Sequence, residues 1–167
     1  MQVDRENRSS LVFTPIGTIR SPYTDPAGMP IQPAGAQGVR GMVVVDEKYQ
    51  GGLRDIEGFS RLILIYAFHR SNGYSLEVIP FLDIVPHGVF ATRAPKRPNA
   101  IGLSVVRLVA VNKSELTIED VDILDGTPLL DIKPYVPAFD CFPDGKAGWF
   151  DTCCDKVPAM RSDRRFL

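Results

Sequence analysis

RLILIYAFH, residues 61 to 69, sets seven apolar residues in unbroken succession between Arg61 and His69. A membrane-spanning helix needs about 20 such residues, so the run is too short to be one. Its β-branched and aromatic content favours a strand instead. Leu62, Ile63, Leu64 and Ile65 lack the polar alternation of a half-exposed strand. They suit a strand covered on both faces or one set in the wall of a closed barrel.

The surrounding segments choose between these. LVFTPIGTI (11 to 19), GMVVVDE (41 to 47), LEVIPF (76 to 81), SVVRLVAV (104 to 111) and LTIEDVDI (116 to 123) repeat the strand composition with turn residues between them. Gly and Pro make up 28 of 167 residues, well above the roughly 12% of an average protein, which disfavours long helices. The one helix candidate, DEKYQGGLRDIEGF (46 to 59), is shortened by Gly51 and Gly52. A sheet with so few helices to cover it protects its edges best by closing on itself. The expected fold is therefore mainly β, a small closed or nearly closed β-barrel with few short helices. The barrel is assigned to residues 11 to 140, an irregular C-terminal arm to 141 to 167, and a flexible N-terminus to 1 to 10.

At 44% hydrophobic and 23% charged, the chain has the composition of a single folded domain. Cys141, Cys153 and Cys154 are odd in number and two are adjacent, a poor basis for a secreted disulfide framework. The N-terminal MQVDRENRSS has mixed charge and no apolar stretch after it. A cytoplasmic protein without a membrane segment is expected. The net charge of −1 hides two opposed segments. Residues 84 to 114 hold Arg93, Lys96, Arg97, Arg107 and Lys113 with no acid; residues 115 to 132 hold six acids with no base.

Several chemistries are disfavoured. With only His69 and His87, and no CxxC, zinc spacing is absent and no metal is expected. Gly58-Phe59-Ser60-Arg61-Leu62 lacks the second glycine of a nucleophile elbow. Gly35, Gly38 and Gly41 match neither a P-loop nor the dinucleotide fingerprint. VFATRAPKRPNAIG (89 to 102) is more informative, because Pro95 and Pro98 stiffen a loop that displays Lys96 and Arg97, as an anion site requires. On the residues alone, a solvated turn paired with the acidic segment is slightly favoured over such a site. DILDGTPLLDIKPY (122 to 135) reads as a hairpin about Asp125-Gly126, with a polar cofactor loop as the alternative. His69 reads as a strand-end residue or a catalyst.

Together, IGTIRSPY (16 to 23), GLRDIEGFSRLILIYAFH (52 to 69), VFATRAPKRPNAIGLSVVRL (89 to 108) and VDILDGTPLLDIKPYVP (121 to 137) resemble the TsaA-like, or TrmO, family over residues 11 to 140. That resemblance implies a small, usually dimeric β-barrel. It implies an S-adenosylmethionine-dependent methyltransferase acting on N6 of threonylcarbamoyladenosine at position 37, in the anticodon arm of tRNA. By the same resemblance, the cofactor pocket takes Pro33, Ala34, Gly35, His69, Arg70, Ser71, Asn72, Arg93, Leu103, Ser104, Asp125, Gly126, Thr127 and Pro128. Arg93, Arg97, Asn99, His69 and Asp125 are the candidate catalytic residues, and Lys96, Arg97, Lys133 and Tyr135 the candidate tRNA contacts. Longer family members carry an extra C-terminal domain, and this chain is expected to be the short form, with Trp149, Arg161, Arg164 and Arg165 of its tail near the RNA. Alternative functions are a barrel that binds S-adenosylmethionine as a sensor or carrier, and a methyltransferase on another acceptor.

Overall fold

Residues 61 to 67 form a strand in which Leu62, Leu64 and Tyr66 are buried while Ile63, Ile65 and Ala67 are partly exposed. This computed structural model describes residues 11 to 166; the N-terminus expected to be flexible, 1 to 10, lies outside them. The strands are β1 (Gly17–Arg20), β2 (Arg40–Val45), β3 (Arg61–Ala67), β4 (Glu77–Val78), β5 (His87–Gly88), β6 (Ile101–Asn112), β7 (Glu115–Glu119) and β8 (Thr127–Pro134). All but β4 and β5 close into one antiparallel barrel in the order β1-β2-β7-β6-β3-β8, while β4 and β5 pair with each other. Closure resolves the two possibilities for the 62 to 65 run. Every second side chain enters the barrel, and the apolar residues between them form its outer wall.

Ile19, Val43, Leu62, Leu64, Val106, Leu116, Ile118 and Leu129 fill the interior. One end is plugged by Leu53, from 3-10 turns at Glu47–Leu53 and Ile56–Gly58. These turns occupy the segment read as a short helix, where Gly51 and Gly52 weaken a full α-helix. The other end is plugged by Val121 and Ile123, carried by the segment between β7 and β8.

That segment differs from the expected hairpin. Asp125-Gly126 does form a turn, with Gly126 at φ 74, but β7 pairs with β2 and β6, and β8 pairs with β1 and β3. The chain crosses the barrel mouth and rejoins the sheet on its far side. The opposed charge segments meet across β6 and β7, where Arg107 pairs with the buried Glu119, which Arg40 also contacts at 3.1 Å. After β8 comes a short helix, α1 (Pro137–Asp140), and then an irregular arm packed back over the plugged mouth. No helix among the described residues is long and apolar enough to cross a membrane.

Candidate active site

The C-terminal end of β3 and the N-terminal ends of β6 and β8 lie at the same barrel mouth, as their antiparallel registers require. Three loops rise around it, 21 to 39, 68 to 100 and 120 to 126, and together with the arm they enclose a cavity of about 460 Å³. Its walls are mainly apolar, with Met29, Phe68, Phe81 and Leu103 among them, and a few polar groups converge on it. This is the usual character of a small-molecule site.

The floor holds a buried polar chain. The Tyr66 hydroxyl lies 3.0 Å from Ser104 Oγ, and Ser104 Oγ donates to Asp122 Oδ1 at 2.7 Å. Tyr66 fits against β6 only because residue 102 is glycine; a Cβ there would stand 2.2 Å from the ring. Burial, the dominant cause, pushes the Asp122 carboxyl up to about 6, with the Ser104 hydrogen bond and the Arg93 charge opposing it. Burial likewise raises the Tyr66 phenol, with Asp122 adding to the effect. Asp122 lines the cavity, and the described residues give it no ion-pair partner.

The wall after β3 supplies His69, Arg70 and Ser71. His69 Nδ1 is 3.4 Å from Thr127 Oγ1. Burial first, and the neighbouring Arg70 charge second, lower its pKa and favour the neutral imidazole. Ser71 Oγ is buried without a hydrogen-bond partner among the described residues. A buried hydroxyl left unsatisfied is costly, so a polar ligand group has a place to bind there.

The basic loop divides its cations. Arg93 is exposed at the cavity edge and donates to Gln32 Oε1 at 2.7 Å. Arg97 turns inward, and its Nη1 donates to the carbonyls of Val89, Thr92 and Ala94 at 3.1, 2.8 and 3.3 Å. The expectation that these arginines pair with the acidic segment is not met, since Arg97 closes its own loop. Lys96 is half-buried beside it and Asn99 is exposed, its carbonyl accepting from Ile101 N–H at 2.8 Å.

Among the residues anticipated for the cofactor, His69, Arg70, Ser71, Arg93, Leu103 and Thr127 line the cavity. Ser104 lies just beneath the floor, and Asn72, Gly126 and Pro128 adjoin lining residues without reaching the cavity. Pro33, Ala34 and Gly35 form a 3-10 turn next to it, while Ile31 and Gln32 face it. Asp125 is turned away, its Oδ1 accepting from Ser21 N–H at 3.1 Å and its Oδ2 lying 3.6 Å from Arg20. Lys133 and Tyr135 sit at the opposite barrel end, beside Ile63 and Arg61.

Two contributions escaped the sequence reading. Asp122 looked like one acid among six. The arm, expected near the RNA, also supplies cavity wall through Trp149, Phe150, Ser162 and Phe166. Trp149 Nε1 donates to Ala91 carbonyl at 2.8 Å, and its ring stacks on His87 and Phe150 at 4.5 and 3.8 Å. Ser162 ties the arm to Met29 and Pro26, while Arg164 and Arg165 engage Asp25 and Asp163.

A closed six-stranded barrel with a cavity at one mouth, roofed by loops rather than by a Rossmann sheet, defines a class of small-molecule-binding barrel. The family model of the tRNA-methyltransferase O N-terminal domain matches residues 18–141, and the chain belongs to that family. A protein from Pyrococcus abyssi named "Probable S-adenosyl-L-methionine-binding protein" is 51% identical over 94% of this chain and 85% of its own length. The "tRNA (adenine(37)-N6)-methyltransferase" of Escherichia coli is 36% identical over 84% of this chain and 64% of its own. The crystal structure of TrmO from Pseudomonas aeruginosa superposes with a TM-score of 0.71 at 37% identity, covering 84% of this chain and 63% of that one. The chain thus spans under two thirds of the methyltransferases it matches.

Proposed function

We propose that this chain is an S-adenosylmethionine-dependent methyltransferase that modifies N6 of threonylcarbamoyladenosine at position 37 of tRNA. The observation that carries this reading is the mouth cavity, built from the family's own segments and offering the unpartnered Ser71 hydroxyl, Arg93 and Thr127 to a polar ligand. The names of the relatives support the cofactor and N6 of adenine 37 in tRNA as the acceptor, while the threonylcarbamoyl group comes from the family resemblance of the motifs. When bound, S-adenosylmethionine supplies an electrophilic methyl carbon. The chain's own residues hold the acceptor in line with it and exclude water, and positioning of this kind supplies much of the rate in displacement reactions.

The barrel of residues 11 to 140 acts as the catalytic unit, with 141 to 167 as an arm over its cavity. His69, Arg70, Ser71, Arg93, Leu103 and Thr127 bind the cofactor, and Pro33 to Gly35 shape the loop beside it. Arg93 also faces the developing charge at the acceptor, and Lys96 meets tRNA phosphate. Position 37 lies next to the anticodon, so the RNA contact is a limited stretch of the anticodon arm, consistent with the net charge of −1. A cytoplasmic homodimer is part of the same reading. Its support is the outer wall of β3 and β6, where Ile63, Ile65, Leu103 and Val105 form an apolar surface on paired strands.

Mass spectrometry of tRNA nucleosides after incubation with the protein and S-adenosylmethionine tests this. A species heavier than threonylcarbamoyladenosine by one CH₂ is expected. Cofactor binding without that product would leave a sensor or carrier, and product on unmodified RNA would mean another acceptor.

A further inference from the structure

Replacing an N6 proton by a methyl group leaves one proton to be removed, and its acceptor must reach the reacting nitrogen. Two of the candidate catalytic residues, Asp125 and His69, carry groups that can take up a proton; of these Asp125 is occupied by Ser21 and Arg20 and does not line the cavity. His69, the other, does line it, but a protonated imidazole there is disfavoured both by burial and by Arg70. Asp122 has the opposite preference. Taking up a proton converts it to the neutral form that its buried position favours.

We propose, resting on the methyltransferase reading, that Asp122 is the proton acceptor of the transfer step, held in place by the Ser104 hydroxyl. The nitrogen–carbon bond forms as the carbon–sulfur bond breaks, with that electron pair leaving on sulfur. The N6 proton passes to the Asp122 carboxylate and from there to solvent. Ser104 Oγ fixes Oδ1 at 2.7 Å, and the buried Tyr66 hydroxyl, 3.0 Å from Ser104, holds that serine in turn. The acceptor N6 belongs to a urea-like group whose lone pair is delocalised, so proton removal as the bond forms strengthens a weak nucleophile.

The titratable and polar groups that face Asp122 come from four elements. Tyr66 on β3 and Ser104 on β6 lie beneath the carboxylate, Arg93 on the basic loop acts on it across the cavity, and Tyr23 approaches from the loop after β1. Ser104 and Arg93 favour the carboxylate; burial favours the acid.

The test uses the full chain and two variants. In the protein without cofactor, ¹³C-carboxylate NMR is expected to show one aspartate titrating near 6, absent in Asp122→Asn and moved to higher pH in Ser104→Ala. With tRNA and S-adenosylmethionine, kcat/KM of the wild type rises with pH through the same ionisation, and the Ser104→Ala limb moves up with it. Asp122→Asn keeps its folding transition and its calorimetric cofactor affinity to within a few-fold but loses about 100-fold or more in kcat, the range of general-base catalysis. An Asp122→Asn enzyme that retains kcat, or retains the acid limb, overturns the assignment while leaving the methyltransferase reading intact. A wild type that methylates no tRNA overturns both. If Asp122→Asn does not fold, an unmoved limb in Ser104→Ala overturns the assignment.

Discussion

Asp122 also couples the site to stability. Its folded-state pKa of about 6 lies above the ordinary 3.8, so the native state binds the proton more tightly than the unfolded chain. The stability this confers is fully present below about pH 4 and is lost as pH rises through 6. By linkage the loss amounts to at most about 3 kcal/mol. Asp122→Asn, which cannot ionise, is therefore expected to match the wild type at pH 4 and to melt at higher temperature than it at pH 8. Paired melting curves at the two pH values check this, and an identical pH dependence for both proteins would show that Asp122 is not desolvated. A carboxylate kept at a stability cost inside an otherwise apolar plug is the kind of local conflict that functional sites tolerate.

At the scale of elements, Arg97 decides what the basic loop is for. Its three carbonyl contacts fold residues 89 to 97 back on themselves, with the guanidinium 5.9 Å from the Phe90 ring. Arg97→Ala is expected to speed amide exchange across 89 to 97 and to weaken cofactor binding through Arg93. Lys96→Ala, by contrast, should leave exchange unchanged and lower the salt slope of tRNA binding by about 1. If Arg97→Ala lowers the slope with exchange unaltered, the arginine contacts phosphate after all. The strands themselves were legible in the sequence because their signal is local: runs such as 61 to 69 and 104 to 111 carry their own composition and punctuation. The hairpin at Asp125-Gly126 was misread because a turn signal says that the chain reverses, not which strand it then joins; here Val121 and Ile123 need the barrel mouth, and β8 pairs across it. The same limit hid half the site. His69 to Ser71 and Arg93 belong to recognisable segments, but Asp122 becomes distinctive only when β3 and β6 bring Tyr66 and Ser104 against it. The arm has no periodicity from which its place over the cavity could be read.

For the whole molecule, the outer wall and the separation of the proposed tRNA contacts pose one problem. Ile63 pairs with Val105 and Ile65 with Leu103 on the outside of two adjacent strands, where Leu103 is exposed at the cavity rim and the other three are half-buried. The part of that surface that a monomer leaves in water is apolar and contiguous, as interface patches usually are. Lys133, meanwhile, is six residues along β8 from Thr127, about 20 Å at strand rise, too far for both to touch one nucleotide. In the proposed dimer, a two-fold axis lying in this wall and perpendicular to its strands would run the two sets of strands in opposite directions and set the Lys133 and Tyr135 end of one barrel beside the cavity of the other. Two-fold dimers are isologous, so one such interface would complete two sites. Ile63→Glu places a charge in the centre of the wall without touching the barrel interior. It is expected to sediment as a monomer with unchanged far-UV circular dichroism and cofactor affinity, and to lose most of its activity on tRNA. A wild type that sediments as a fully active monomer at assay concentration would remove the need for the second copy and return Lys133 and Tyr135 to a purely structural role at the far end of the barrel.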